Sequence, residues 1–440
     1  MMDLSIIIPV GKREDDFKLI KQIKEKFKGC EIILVIDEAN QFFKQAKMEV
    51  DQLSFLSHSS RAKALNAGVR LSTRNHLWFL HLDSNIENIT SADLTELSEF
   101  ELATFLLQFD QANCWWIAAG ANFRTKAFGI PFGDQSFLMS KKLFNFIGPF
   151  NERLLEGEDH EFIWRTKSLN IKLNVINKNI ITSAKKYLNQ KIVQTLKTLS
   201  KTLVQAIKFR KKKKSIVVAT FLKDPSSKES KSRLRNEFND EFVNHLNEKF
   251  LNITNQNLNQ LNLKEDIHFV KVCKRGDEAS LNSLSPIHQG TFLNQDQALS
   301  LMMSEVSQLA LKTIGKVALL GSDIPTLNAD DLNQALSNKL ANKSLFFATA
   351  DGGFCFMLSK DQNVVQCLSK INSSTSSVMQ TLKSCLGSVD VVEKIYTDVD
   401  VSLDLKKAYE QLQLNETHLT DAQKDLLIFL RANESIAMNP

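Results

Sequence analysis

What the chain lacks narrows its class first. Its 440 residues include only six cysteines, Cys30, Cys114, Cys273, Cys355, Cys367 and Cys385, with no CxxC pair or metal-ligand spacing among them. That argues against a zinc scaffold or a CxxC redox protein, and buried thiols in a reducing compartment are expected. No apolar run approaches the ~20 residues of a membrane-spanning helix. The opening "MMDLSIIIPVGKRED" has no basic leader, and its apolar run is too short for a signal peptide, so a cytoplasmic location is expected. An excess of one charge is also missing. Fifty-five Lys and Arg against fifty Asp and Glu leave a formal +5, small for this length. A dedicated nucleic-acid binder and an acidic-tail protein are therefore disfavoured.

What is present fits a soluble globular protein of 43% hydrophobic and 24% charged residues, long enough for two domains. "LSIIIPV" (4–10), "CEIILVID" (30–37) and "HLWFLHLDSN" (76–85) are apolar runs of the kind buried in parallel strands, the last two ending on Asp37 and Asp83. "DDFKLIKQIKEKF" between the first two has helical spacing. Strands alternating with helices predict a parallel α/β sheet, whose ligands bind at the carboxyl ends of strands. A second set follows: "KSIVVATF" (214–221), "KVALLGSDIP" (316–325) with Asp323, "SLFFATADGGFCFMLSK" (344–360) and "YTDVDVSLDL" (396–405). The halves echo one another, and "GDQSFLMSKK" (133–142) resembles "DGGFCFMLSK" (351–360). Two copies of one fold type are expected.

The predicted organisation is a first domain over 1–190, an amphipathic helix and basic linker over 191–214, and a second domain over 215–440. In the linker region Ile192, Val193, Leu196, Leu199, Leu203, Val204 and Ile207 fall on one helical face and lysines on the other. The favoured reading is a terminal helix whose apolar stripe is core. The alternative is weak contact with a membrane surface through 191–214.

"LLEGEDHEFIWRTK" (154–167) gathers Glu156, Glu158, Asp159 and Glu161 before an apolar helix. Acids offset the positive end of a helix dipole, which explains one or two of them. A cluster beside a glycine and a histidine also suits a catalytic carboxylate. His160 reads as structural.

In order, "SIIIPV", "SRAKALNAG", "FLHLDS", "PFGDQSFLMSKKLFNFIGPF", "LLEGEDHEFIWR" and "ITSAKKY" make the first half resemble a family 2 glycosyltransferase of the nucleotide-diphospho-sugar transferase (GT-A, Rossmann-like) fold. The subgroup it looks like is associated with radical-SAM/selenodomain gene neighbourhoods and arsenosugar biosynthesis. The resemblance implies a nucleotide-sugar donor, a small-molecule or glycan acceptor with a hydroxyl, and Mg²⁺ or Mn²⁺. It also implies roles for particular residues. Asp83 would be a metal ligand, Asp37 a contact to the nucleotide base, and Arg61 and Asn66 part of a loop beside the donor. Asp134 and Gln135 would contact sugar, and Asp159 would act as general base with Glu158 as its neighbour. Arg165 would orient that pair or the phosphates. "IDEANQFFKQA" stands where the family has a Gly/Ser-rich stretch.

In the second half, "SKSRL" (230–234), "VALLGSDIPTLNADDLNQAL" (317–336), "TADGGF" (349–354), "SSTSSVMQTL" (373–382) and "DVDVSLDL" (398–405) resemble the partner transferase family of the same neighbourhoods. Their order is also similar to small guanylyltransferases. The resemblance implies Lys231 and Arg233 on a polyphosphate, Asp323 and Asp400 on a metal, and Asp351 as a substrate contact. "KDPSSKE" replaces a Gly/Pro-rich loop, and "TFLNQDQALSLMM" follows "HQG" (288–290) without the family's Gly–Glu–Arg. Together these readings predict glycosyl transfer fused to a second transferase of the same fold. The alternatives are a nucleotidylyltransferase in the second half, or non-catalytic nucleotide-sugar binding in one or both halves.

Overall fold

The computed structural model describes residues 3–43, 50–57, 60–94, 98–185, 191–262, 266–277, 280–281, 290–294, 297–337, 343–372 and 377–437. His288 and Gln289 of "HQG", residues 373–376 of "SSTSSVMQTL" and 186–187 of "ITSAKKY" lie outside them. The chain divides into two compact units, Met1–Lys213 and Lys214–Pro440.

The first unit has strands β1 (Leu4–Val10), β2 (Glu31–Asp37), β3 (Gln52–Leu56), β4 (His76–Phe79), β5 (Glu101–Phe109), β6 (Phe137–Ser140) and β7 (Lys172–Thr182). They form one sheet in the order β3-β2-β1-β4-β6-β5-β7. β6 runs antiparallel to both neighbours, and the other pairings are parallel. β1 and β2 bury nearly every residue, which is why they read as unbroken apolar runs. Ile6, Ile8, Ile32 and Leu34 pack with Ile20 and Ile23 of the helix Lys18–Lys26. Each such side chain, fully buried, contributes about 1.5–3 kcal/mol. Trp78 is wholly buried, meets Phe27 edge-on at 5.4 Å, and donates its indole N–H to Ser136 Oγ at 2.6 Å.

The second unit repeats the scheme. Its strands are β8 (Ile216–Phe221), β9 (Ile267–Lys274), β10 (Gly290–Asn294), β11 (Val317–Leu320), β12 (Ser344–Ala348), β13 (Phe354–Ser359) and β14 (Asp390–Val391), ordered β10-β9-β8-β11-β13-β12-β14. β13 is the antiparallel member, paired with β11 and β12. Strand by strand this is the order of the first unit. The two stretches that resemble each other in sequence carry β6 and β13, the inserted antiparallel strands. The fold is thus mixed α/β, with two parallel-dominated sheets of one topology.

In each sheet the first strand in sequence, β1 or β8, is the point from which the strand order leads outward in both directions. The crevice between it and β4 or β11 is the switch point where α/β sheets bind ligands. β4 and β11 end earlier than the apolar runs suggest, at Phe79 and Leu320. Asp83 and Asp323 therefore sit in the turns that follow, not on strand ends. In the first unit the Ser84 N–H donates to the His81 carbonyl, which closes that turn.

Two expectations are corrected. Cys367 and Cys385 form a disulfide, because the helices Asn363–Lys370 and Val378–Leu386 bring their Cα atoms to 5.8 Å. The other four cysteines are buried thiols. In the helix Lys191–Phe209, Leu203, Val204 and Ile207 are exposed and are not core.

Candidate functional site

In the first unit every acid of "EGEDHE" has its own partner. Glu158, first residue of the helix Glu158–Ser168, is buried and ion-pairs with Arg61 Nε at 2.7 Å. Asp159 Oδ2 accepts the Gly133 N–H at 2.8 Å. Glu161 pairs with Arg165 at 2.9 Å and Lys211 at 3.1 Å, and Glu156 with Lys201 at 2.7 Å. Helix-start electrostatics alone do not account for this, since each carboxylate is met by a group distant in sequence.

Arg61 opens the helix Arg61–Leu71 and also lies 3.2 Å from His81 Nε2. His81 Nδ1 is 3.8 Å from Asp134 Oδ1. Gly133 sits in a tight space where these meet. A Cβ there would come to 3.1 Å from His81 Nε2 and 3.2 Å from Asp159 Oδ2. Arg61, His81, Gly133, Asp134, Glu158 and Asp159 thus form one cluster. Burial pushes the Glu158 carboxyl up, with Arg61 opposing. Burial opposes the charge of Arg61, but Glu158, Asp159 and Asp134 outweigh it. Burial and then Arg61 hold His81 below the ordinary histidine range. His81 is the residue that sequence reading missed. Nothing in "FLHLDS" separates it from a core histidine except its place two residues before Asp83.

The other predicted residues are placed elsewhere. Asp83 is exposed, with the Thr182 hydroxyl 3.3 Å from its carboxylate, and among the described residues it belongs to no group of three metal-ligand side chains. Asp37 is buried at the end of β2 and caps its own turn through the Ala39 N–H. Asn66 spends its amide clamping Phe150 and Glu152. Gln135 is fully buried and bonds Thr125, Arg124, Phe132 and Phe105. Arg165 holds the Ile147 and Pro149 carbonyls together with Glu161, and so does not orient Glu158 or Asp159. His160 is buried against Phe132 at 4.7 Å.

In the second unit the loop after β8 carries Lys231 in the left-handed region, φ 52°, at the start of the helix Ser232–Arg235. Its ammonium lies 2.5 Å from Asp323, 2.9 Å from Asp400 and 3.4 Å from Asp398. These acids, from the turn after β11 and the segment after β14, offer oxygens within 4.8 Å of one another. Burial opposes the Lys231 charge, but the three aspartates hold its pKa well above the usual lysine range. Burial pushes Asp398 up, reinforced by Asp323. Burial would also raise Asp323, but Lys231 holds it down. Arg233 is exposed, 3.7 Å from Asp400. A cavity of about 410 Å³ opens here, lined among others by Lys223, Lys231, Arg233, Lys274 and the three aspartates. Hard carboxylate oxygens in this number suit Mg²⁺ or Mn²⁺, so the donor set fits a divalent cation. The ammonium on the triad shows that the site already balances positive charge.

Asp398, Lys223 and Lys274 were not foreseen. The alternating "DVD" was the available signal for Asp398. Asp351 closes its own turn instead, accepting from Thr349 Oγ1 at 2.6 Å and the Gly353 N–H at 3.1 Å, with Gly352 at φ 88°.

A family described as an uncharacterized protein conserved in bacteria (DUF2064) matches residues 261–375, within the second unit. No curated protein matches the chain. Among solved structures, it is similar to a protein from Desulfovibrio desulfuricans G20 assigned as a nucleotide-diphospho-sugar transferase. That likeness has 21% identity, 51% of this chain, 97% of the other, and TM-score 0.45. It is also similar to the mannosyltransferase PcManGT from Pyrobaculum calidifontis, solved with GDP-Man and Mn²⁺ (13%, 48% and 65%, TM-score 0.38). A third is Rv0371C of Mycobacterium tuberculosis H37Rv complexed with manganese (17%, 44% and 98%, TM-score 0.31). With TM-scores below 0.5, none of them speaks to activity.

Proposed function

We propose that this chain is a glycosyltransferase that moves a sugar from a nucleotide-diphosphate donor to a hydroxyl acceptor. The second unit, in this reading, is a nucleotide-binding transferase domain of the same fold. For the second unit one observation carries the reading: at the switch point of its sheet, a cavity of about 410 Å³ joins a metal-capable aspartate triad to four cationic side chains. That volume suits a small-molecule ligand, and the charges suit a polyphosphate. Asp323, Asp398 and Asp400 would hold the divalent cation, which would supply positive charge against the phosphates. Lys231 and Arg233 add a point charge and a planar fork.

In the first unit, Asp159 is the base. It takes the proton of the acceptor hydroxyl as the acceptor oxygen bonds the sugar carbon. The bond from that carbon to the diphosphate oxygen breaks, and the nucleoside diphosphate leaves. Gly133 and Arg61 fix the carboxylates of Asp159 and Glu158 at the crevice. His81, neutral beside Arg61, adds a polar face to the same cluster.

The test is a panel of nucleoside triphosphates and nucleotide sugars with Mg²⁺ or Mn²⁺, read by thermal shift and by product. Released nucleoside diphosphate with a nucleotide sugar is expected. Asp159→Asn should lower turnover by about 10²–10⁴ while leaving donor binding intact. Pyrophosphate release would assign nucleotidylyl transfer instead. Binding without release would make the chain a nucleotide-sugar binder, and no binding would end the reading.

A further inference from the structure

Among its described side chains, the helix Lys191–Phe209 turns Gln205 and the buried Phe209 toward its own unit. The Gln205 amide lies against Gly157, and Lys201 ion-pairs with Glu156 at 2.7 Å. At 3.6 residues per turn, Leu203 and Ile207 point roughly 160° around the axis from Gln205. They are 66% and 83% exposed, and Val204 is 63% exposed. An amphipathic helix ordinarily turns such a stripe inward. Here it faces out, directly before exposed Lys208, Arg210, Lys212 and Lys213.

A second face has the same character. The helix Trp115–Phe128 exposes Trp115, Trp116, Phe123 and Phe128 around Ala119, Gly120 and Ala127. Its C-terminal end adjoins the basic run. Lys167 Nζ donates to the Phe128 carbonyl at 2.6 Å, and the same ammonium is depressed by burial and then by the charge of Lys213. Phe123 and Phe128 pack edge-on at 6.0 Å beside it. The aromatic helix end and the basic run thus meet at Lys167, and the basic run directly continues the helix that carries the exposed aliphatic side chains.

We propose that this surface docks the chain on an anionic lipid bilayer. Apolar side chains enter the acyl boundary, tryptophans sit at headgroup level, and lysines meet lipid phosphates. A neutral protein partner would leave the cations unanswered, whereas an anionic membrane matches both components.

The test uses the full chain with sedimented vesicles of phosphatidylcholine alone or with about 30% phosphatidylserine. Binding to the anionic vesicles only is expected, falling at least about tenfold in molar salt. Lys212→Glu with Lys213→Glu should weaken it by at least about 25-fold, taking about fivefold for each cation lost. Ile207→Glu and Phe123→Ser, at exposed positions that keep the fold, should each abolish it. No phosphatidylserine-dependent binding by the full chain would overturn the proposal, as would binding that Ile207→Glu and Phe123→Ser leave intact. Sedimentation velocity supplies the other arm: self-association removed by Ile207→Glu, without lipid binding, would assign the face to a second copy of the chain.

Discussion

Replacing Lys231 with alanine removes one ammonium from three carboxylates at 2.5, 2.9 and 3.4 Å. The lysine side chain is 8% exposed, and Asp323, Asp398 and Asp400 are 32%, 30% and 46% exposed. Breaking a fully buried ion pair costs about 3–5 kcal/mol. Because the aspartates still reach water, a loss of about 1–3 kcal/mol is expected. Lys231→Gly removes the same charge but relaxes the left-handed backbone, and should recover up to about 1 kcal/mol. All four tryptophans, Trp78, Trp115, Trp116 and Trp164, belong to the first unit, so their fluorescence is a control. In urea followed by circular dichroism, the second unit's midpoint should fall by about 0.5–1.5 M, taking a slope near 2 kcal/mol per M. The tryptophan midpoint should stay put. Mg²⁺ should then stabilise the alanine variant more than the parent, because the ammonium no longer competes for the triad; a concentration of about ten times Kd adds about 1.4 kcal/mol. Equal midpoints for the parent and Lys231→Ala, without divalent cation, would refute the claim that this lysine holds the triad together.

His81 and His160 are both held below the ordinary histidine range, first by burial. The unfolded chain therefore takes up protons at higher pH than the folded one. Stability of the first unit is full above about pH 6.5 and falls as pH drops through the folded values, by at most about 1.4 kcal/mol per pH unit per histidine. Tryptophan-detected urea midpoints should show this slope, and His81→Gln should make it shallower; a flat profile would contradict it. Fragments 1–213 and 214–440 should each fold, since each unit has its own sheet and buried core. Two insoluble fragments from a soluble full chain would show that the units depend on each other.

The sequence by itself determined the local material. Unbroken apolar runs read as strands buried on both faces, and β1, β2, β8 and β11 follow them. The likeness between 133–142 and 351–360 marked a repeated element, because both stretches carry the antiparallel strand of a sheet. "EGEDHE" was legible as a charged helix start and Asp323 as an acid at the end of an apolar run, while Lys231, Arg233 and Asp400 came from the resemblance of "SKSRL" and "DVDVSLDL" to a transferase family. Partners were a different matter. Asn66, Gln135 and Arg165 are the right residue types for a donor site, yet their polar atoms go to backbone carbonyls, amides and neighbours of the core. His81 joins Arg61 across 20 residues, and Asp159 meets Gly133 across 26. Lys231 reaches Asp323 across 92 residues and Asp400 across 169. Local spacing fixes which face of a strand or helix a side chain takes, but not what the sheet order sets opposite it. Which carboxylate finds a cation, which cysteines come within bonding distance, and which apolar stripe is left facing out are set when distant segments pack, and only the tertiary structure decided them.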